Sequence, residues 1–418
     1  MKRLLALLLC AALSLPLLPG CTTASAAREL TAQPVTLSQE DLTRYDPEVP
    51  GVYAALSAFG LELLRDTRTA QGDSVLLSPL SVALALSMAA NGAEGETRAQ
   101  FERVLGGGAD LEAVNAACTA LFFIYREGLG GSTECSIANS VWVDPEGQIR
   151  EDFIGKCAGI FDAQVFQGDL SAPGIVDDLN GWVSEHTNKM IPNIISEPFD
   201  ESTAALLVNA LYLKNTWAQK FDANDTYERT FTHHGGGTSS MDFLNTGYTT
   251  FPYLSGEGVQ GVVLPYDDGR LGFFALLPDG DLDSWLAGLE GDGLSQLLAG
   301  REDAQFLHLG LPKFEAEWNG ELKDILAALG LADAFDPGQA DFSLLGDSPE
   351  GYYLSQVIHA AKIKVNEKGT EAAAATVVGA GASSAPQEEG ITLVFDRPFL
   401  YGIADLQNGV PLFLGTFE

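Results

Sequence analysis

Positive charge is what this 418-residue chain has least of: 23 Lys and Arg stand against 57 Asp and Glu, a net charge of −34. Contacts to nucleic-acid phosphates need clustered cations, so a nucleic-acid partner is excluded. A surface this acidic favours solubility and repels anionic membranes. Cysteine is sparse as well, five in all, and no Cys or His group has the close spacing of a zinc site. Also missing are the Gly-x-Ser-x-Gly elbow and the His-Glu-x-x-His helix of common hydrolases. Two of the five histidines, His233 and His234, lie in a glycine-rich turn. No enzyme, cofactor or metal is therefore expected. Asp279-Gly280-Asp281-Leu282-Asp283 has some of the look of a calcium loop, but Ser284 stands where such a loop needs glycine. A turn running into a helix N-cap is the expectation there.

What the chain does have is apolar residues, 46% of the total, which is ample for a large core and excludes a disordered chain. Residues 1–20 read as a secretion signal: Lys2 and Arg3, then an uncharged apolar run from Leu4 to Leu18. Leu18-Pro19-Gly20-Cys21 is similar to a bacterial lipobox, in which Cys21 would carry a lipid on the outer face of the membrane. A rival cut follows Ala24-Ser25-Ala26 and would release an ordinary secreted protein. Thr22 to Pro50 shows no apolar period, so 21–50 is expected to be a tether and 51–418 the folded domain. With Cys10 and Cys21 set aside, Cys118, Cys135 and Cys157 remain; an odd number allows at most one disulfide.

Within the domain, Val52, Leu56, Phe59 and Leu63 follow helical spacing, and the stretch Ser74–Ala93 holds a helix apolar all round that starts at Pro79, with Ser78 placed to cap it. Ile137–Val143 reads as a core strand, Asn180-Gly181-Trp182 opens an amphipathic helix ending near Ile191-Pro192, and Ala205–Trp217 is a long apolar run with one buried-looking amide, Asn209. Helices come first and strands dominate later, so the class is a mixed α+β domain without internal repeats. Near the C-terminus two strand-like runs, Ala360–Asn366 and Gly390–Phe395, flank a long stretch of small residues. Glu367, Gly369, Thr370 and Glu371 are followed by Ala372, Ala373, Ala374, Ala375 and Thr376, then by Gly379 to Ser384. Connections this long inside a compact domain usually have a function, and side chains this small and uncharged can be threaded between two strands.

That stretch resembles the hinge and reactive-centre loop of the serpins, which enters its own sheet as an added strand. Further matches occur in serpin order: Ser74 to Ala93, Asn180 to Thr187, Leu311-Pro312-Lys313-Phe314, Ser355 to His359, Phe395-Asp396-Arg397-Pro398-Phe399 and Leu412 to Thr416. The resemblance implies helices around a large central sheet plus smaller sheets, with an exposed loop over about 367–390. It implies a monomer that inhibits serine or cysteine proteases and is consumed on use; a non-inhibitory, serpin-like binding protein is the alternative.

Residue roles are likewise what the resemblance implies. Ser78, Ser81, Asn209 and His359 meet beneath the point where two central strands part. Trp217 and Lys313 lie with Glu367 at the top of the sheet, where an ion pair between Lys313 and Glu367 is expected. Counting from Gly369 by the family's spacing puts the reactive bond at Ser383-Ser384. The helix around Leu111 to Tyr125, which binds sulfated polysaccharide in some animal serpins, carries no Lys or Arg before Arg126, so no heparin-like activator is expected.

Overall fold

The computed structural model describes residues 25–72, 74–370 and 390–418. At its centre is the helix Pro79–Ala90 (α1), with Pro79 in the first turn, where its missing N–H leaves no bond unmade. All twelve of its residues are buried. An all-round apolar surface leaves the helix no solvent face, and its one late polar residue is satisfied internally: Ser87 Oγ donates to the Ala83 carbonyl at 2.8 Å. The helix Val49–Gln71 packs closely here; a Cβ on Gly60 would stand 2.8 Å from Pro79 Cβ. Ser78 does not cap α1 with its side chain, as the sequence suggests. Its Oγ instead donates to the Leu412 carbonyl at 2.7 Å.

Among the described residues the large sheet has seven strands, labelled here in chain order: β1 (Ala27–Leu30), β2 (Glu134–Val143), β3 (Gln164–Gly168), β4 (Ala205–Thr216), β5 (Phe314–Glu321), β6 (Leu354–Asn366) and β7 (Gly369–Thr370). Across the sheet they run β1-β3-β2-β4-β7-β6-β5. Below β7, β4 and β6 pair directly and in parallel, Ala205–Ala210 against Leu354–Ala360. The helix Gly174–His186 (α2) covers β2 and β4, burying Ile175, Leu179, Trp182 and Val183 with Trp142, Leu206 and Val208. It starts before the expected Asn180 and stops short of Ile191, because Asn188 and Lys189 adopt positive φ, which no helix continues. A second, larger sheet lies on the other side of α1 and includes the wholly buried strands Leu271–Pro278 and Phe399–Asp405.

The expected tether over 21–50 needs correcting. From Ser25 onward the chain is part of the folded body: β1 pairs antiparallel with β3, and Gln39–Tyr45 is a helix capped by Ser38 and Asp41. A four-residue edge strand holds on through backbone bonds, which leave no apolar period to read. Close backbone approach adds to it, since the Val35 N–H donates to the Gly155 carbonyl at 2.8 Å.

Candidate functional site

The candidate site is the seam between β4 and β6. At its upper end two residues, Gly369 and Thr370, already stand between the strands, antiparallel to both. Gly369 is required there by close approach: a Cβ would lie 2.0 Å from the Asn215 carbonyl oxygen. Thr370 is 2% exposed, and its hydroxyl is hydrogen-bonded to that of Tyr266, whose own pKa burial pushes up. Trp217 holds the chain just before this point in two ways. Its backbone N–H donates to the Lys368 carbonyl at 2.9 Å, and its indole N–H donates to the Asn366 carbonyl at 2.8 Å. The indole stacks on Tyr266 with 4.8 Å between ring centres.

Glu367 sits beside them. Lys313 Nζ lies 3.0 Å from its carboxylate, and the Thr226 hydroxyl donates to the same oxygen at 3.0 Å. Burial by itself would raise the Glu367 pKa, but hydrogen bonds from its own backbone, Lys313 and Thr226 outweigh burial and lower it.

Midway down the seam, Asn209 of β4 faces His359 of β6 in register. The Ser78 backbone N–H donates to His359 Nε2 at 2.9 Å, so the neutral ring carries its proton on Nδ1, which donates to Asn209 Oδ1 at 3.2 Å. Asn209 Nδ2 in turn donates to the Ser81 carbonyl at 2.5 Å, to the Ser81 hydroxyl, and to Asn139 Oδ1 at 3.1 Å. His359 is fully buried, and burial pulls its pKa down to about 3, so the ring is uncharged. The four residues the sequence groups together, Ser78, Ser81, Asn209 and His359, therefore do meet, although Ser78 contributes its backbone rather than its hydroxyl to the imidazole. Glu371, Ala372, Ala373, Ala374, Ala375, Thr376, Ser383, Ser384 and Cys21 lie outside the described residues.

Downstream of the loop, Ile391–Val394 returns as a strand parallel to Leu307–Gly310. Both ends of the loop are thus tied to sheets, one to β6 and one to the second sheet.

The model of the family described as Serpin (serine protease inhibitor) matches residues 54–418 of this chain. The chain belongs to the serpin family. It is 32% identical to the rice protein Serpin-ZXA over 358 residues, 82% of this chain and 89% of that one. It is also 32% identical to plasminogen activator inhibitor 1 of Neovison vison over 372 residues, 85% of this chain and 90% of that one. Among solved structures it resembles the thermophilic serpin tengpin in its native state, with a TM-score of 0.82 and 30% identity over 93% of this chain and 98% of that one. Serpins are in general protease inhibitors rather than enzymes, and the mixed helix-and-sheet architecture of this chain is theirs.

Two members of the serpin's seam escaped the sequence. Asn139 is the lone amide in the apolar run Ile137–Val143, the same signal that singles out Asn209 in its own strand. Its Nδ2 is buried with no partner among the described residues. Tyr266 has no such signal, because its position over Trp217 and Thr370 arises only from how the second sheet meets the first. Elsewhere, Cys118, Cys135 and Cys157 are all free thiols, so the single disulfide that the count allowed is not formed. Asp281 caps the helix Leu282–Gly288 by accepting from the Ser284 N–H at 2.9 Å, as the turn reading requires. Arg126, in the last turn of the helix Leu111–Glu127, pairs with Asp162 at 2.8 Å.

Proposed function

We propose that this serpin is a suicide-substrate inhibitor of serine proteases, exported and held to the outer membrane face through a lipid on Cys21. The state of the seam carries this reading: Gly369 and Thr370 occupy its top while β4 and β6 remain paired beneath them. Strand addition can continue downward from that start, using the backbone donors and acceptors of both strands. The target's serine attacks the Ser383 carbonyl, the bond to Ser384 breaks, the new amine leaves with the downstream chain, and the protease is left as an acyl ester on Ser383. Insertion from Thr370 onward then carries the ester away from its oxyanion hole before water can attack. This serpin supplies a bait bond and folding energy and no catalytic group.

Serine at the cleaved position suits a shallow specificity pocket and leaves deep basic- or aromatic-selecting pockets unfilled. Elastase-like and subtilisin-like enzymes are the targets this implies. The test mixes the protein with such enzymes and with a trypsin-like one, looks for complexes that survive denaturant, and weighs the released peptide by mass spectrometry. A complex with only the first two, and a peptide beginning at Ser384, are expected. Cleavage without any complex would point to a non-inhibitory binding protein.

A further inference from the structure

Where the strand Val259–Pro265 of the second sheet ends, its chain is tied to the end of β4. The Ala218 N–H donates to the Pro265 carbonyl and the Asp267 N–H to the Thr216 carbonyl, each at 2.9 Å. Tyr266 stands between these two bonds, and its own N–H donates to the Leu271 carbonyl at 3.0 Å. Its ring is 1% exposed and lies flat on Trp217, which Phe273 meets edge-on at 5.8 Å. None of these contacts involves Gly369 or Thr370, so backbone and ring hold the phenol at the top of the seam without help from the loop.

Thr370 meets that phenol. Strand β7 is two residues long, and Gly369 has no side chain to add to its backbone pairing with β4 and β6. The side-chain hydrogen bond of β7 is the one between the Thr370 and Tyr266 hydroxyls, and neither hydroxyl makes another among the described residues. Both residues are buried. In such a dry place a made bond is stronger than in water, and a hydroxyl left without a partner is costly.

We propose that Tyr266 is a latch for β7: its hydroxyl holds Thr370 in the seam of the uncut protein, so that strand addition has already begun when the loop is cut. Beginning a strand fixes backbone for little return, whereas each later residue adds to a template already in place. Tyr266 touches no reacting atom and acts through Thr370, so it is a positioning residue. Its consequence for inhibition rests on the insertion proposed above, but the latch itself is measurable without a protease.

The test follows amide hydrogen exchange at Gly369 and Thr370 in the uncut full chain by mass spectrometry. Tyr266→Phe keeps the ring but leaves the Thr370 hydroxyl buried without a partner until β7 leaves the seam, so exchange should quicken about tenfold. Thr370→Val strands the other hydroxyl and should do the same. The double variant removes both partners and should exchange within about twofold of the parent. With an elastase-like enzyme, the inhibitor consumed per protease trapped should rise about twofold to fivefold in Tyr266→Phe and recover in the double variant.

Exchange in Tyr266→Phe at the parent rate would overturn the latch. A double variant as fast as the single ones would do so too, because lost packing would then explain them all. Faster exchange with unchanged stoichiometry would overturn its part in insertion. If the parent traps no protease while exchange follows the expected cycle, the latch stands and the inhibitory reading falls.

Discussion

Across the seam that the reactive loop is proposed to enter, the His359 ring donates to Asn209 at 3.2 Å while accepting from the backbone of Ser78 at 2.9 Å. The imidazole is the bolt between β4, β6 and α1, and it works only while neutral, because a second ring proton would face the Ser78 N–H head on.

A pH dependence follows. Burial holds the folded pKa of His359 at about 3 against an ordinary 6.5, so between these values the unfolded chain binds more protons than the folded one. Stability from this group is therefore complete above pH 6.5 and is lost as pH falls toward 3, on the order of a few kcal/mol in all. The urea midpoint of the parent should fall relative to that of His359→Asn between pH 7 and pH 4. Taking the difference cancels the protonation of the many carboxylates, and parallel curves would count against a buried neutral imidazole.

Cutting the loop should make the protein more stable. Each added backbone bond contributes about 0.5–1.5 kcal/mol net, so a strand of about a dozen residues inserted between β4 and β6 could add on the order of 10 kcal/mol. Calorimetry of the protein before and after cleavage should show the melting temperature rising by more than about 10 °C. Identical melting would mean that the strand does not insert.

Thr370→Arg should turn most of the protein into a substrate, weakening inhibition and leaving cleavage intact. Thr370 is buried between two strands with Tyr266 as its side-chain partner, and an arginine there loses its water without gaining a counter-charge. The measured stoichiometry, inhibitor molecules consumed per protease trapped, should rise several-fold for this variant and stay near the parent value for Thr370→Ser.

Lys313→Met is expected to change little. Its ion pair with Glu367 spans 3.0 Å, but the lysine side chain is 38% exposed, so the loss should stay under about 1 kcal/mol and shrink further in salt. The depressed Glu367 pKa has the opposite sign of lever from an elevated one: its stabilisation is present above the usual carboxylate range and fades as pH falls through the lowered value. A destabilisation well above 1 kcal/mol at high salt would show that Lys313 does more than screen a surface charge.

Cys21→Ala should move the protein from the membrane fraction to the medium. Both forms remaining with the membrane would exclude the lipid on Cys21. Because Ala27–Leu30 is paired into the large sheet, the parent should also resist proteolytic release, since few residues separate Cys21 from that strand.

The α+β class is written in the chain itself, whereas the family and the grouping of Ser78, Ser81, Asn209 and His359 came through the resemblance of its motifs to those of serpins. Apolar periodicity, prolines at helix starts and lone amides in apolar runs are local signals, and they survive without knowledge of what packs where. Tertiary structure alone decided the rest. Whether Ser78 caps α1 or meets His359 depends on a strand 281 positions away. The N-terminal segment folds because β3 offers an open edge, and backbone bonding to an edge leaves no mark on side-chain pattern. Tyr266 reaches Thr370, and Asp178 gathers the backbone of Ala26 and Ala27, because two sheets and a helix close around them. Such contacts are set by the sum of distant packing, whereas a helix or strand is set by its own neighbours.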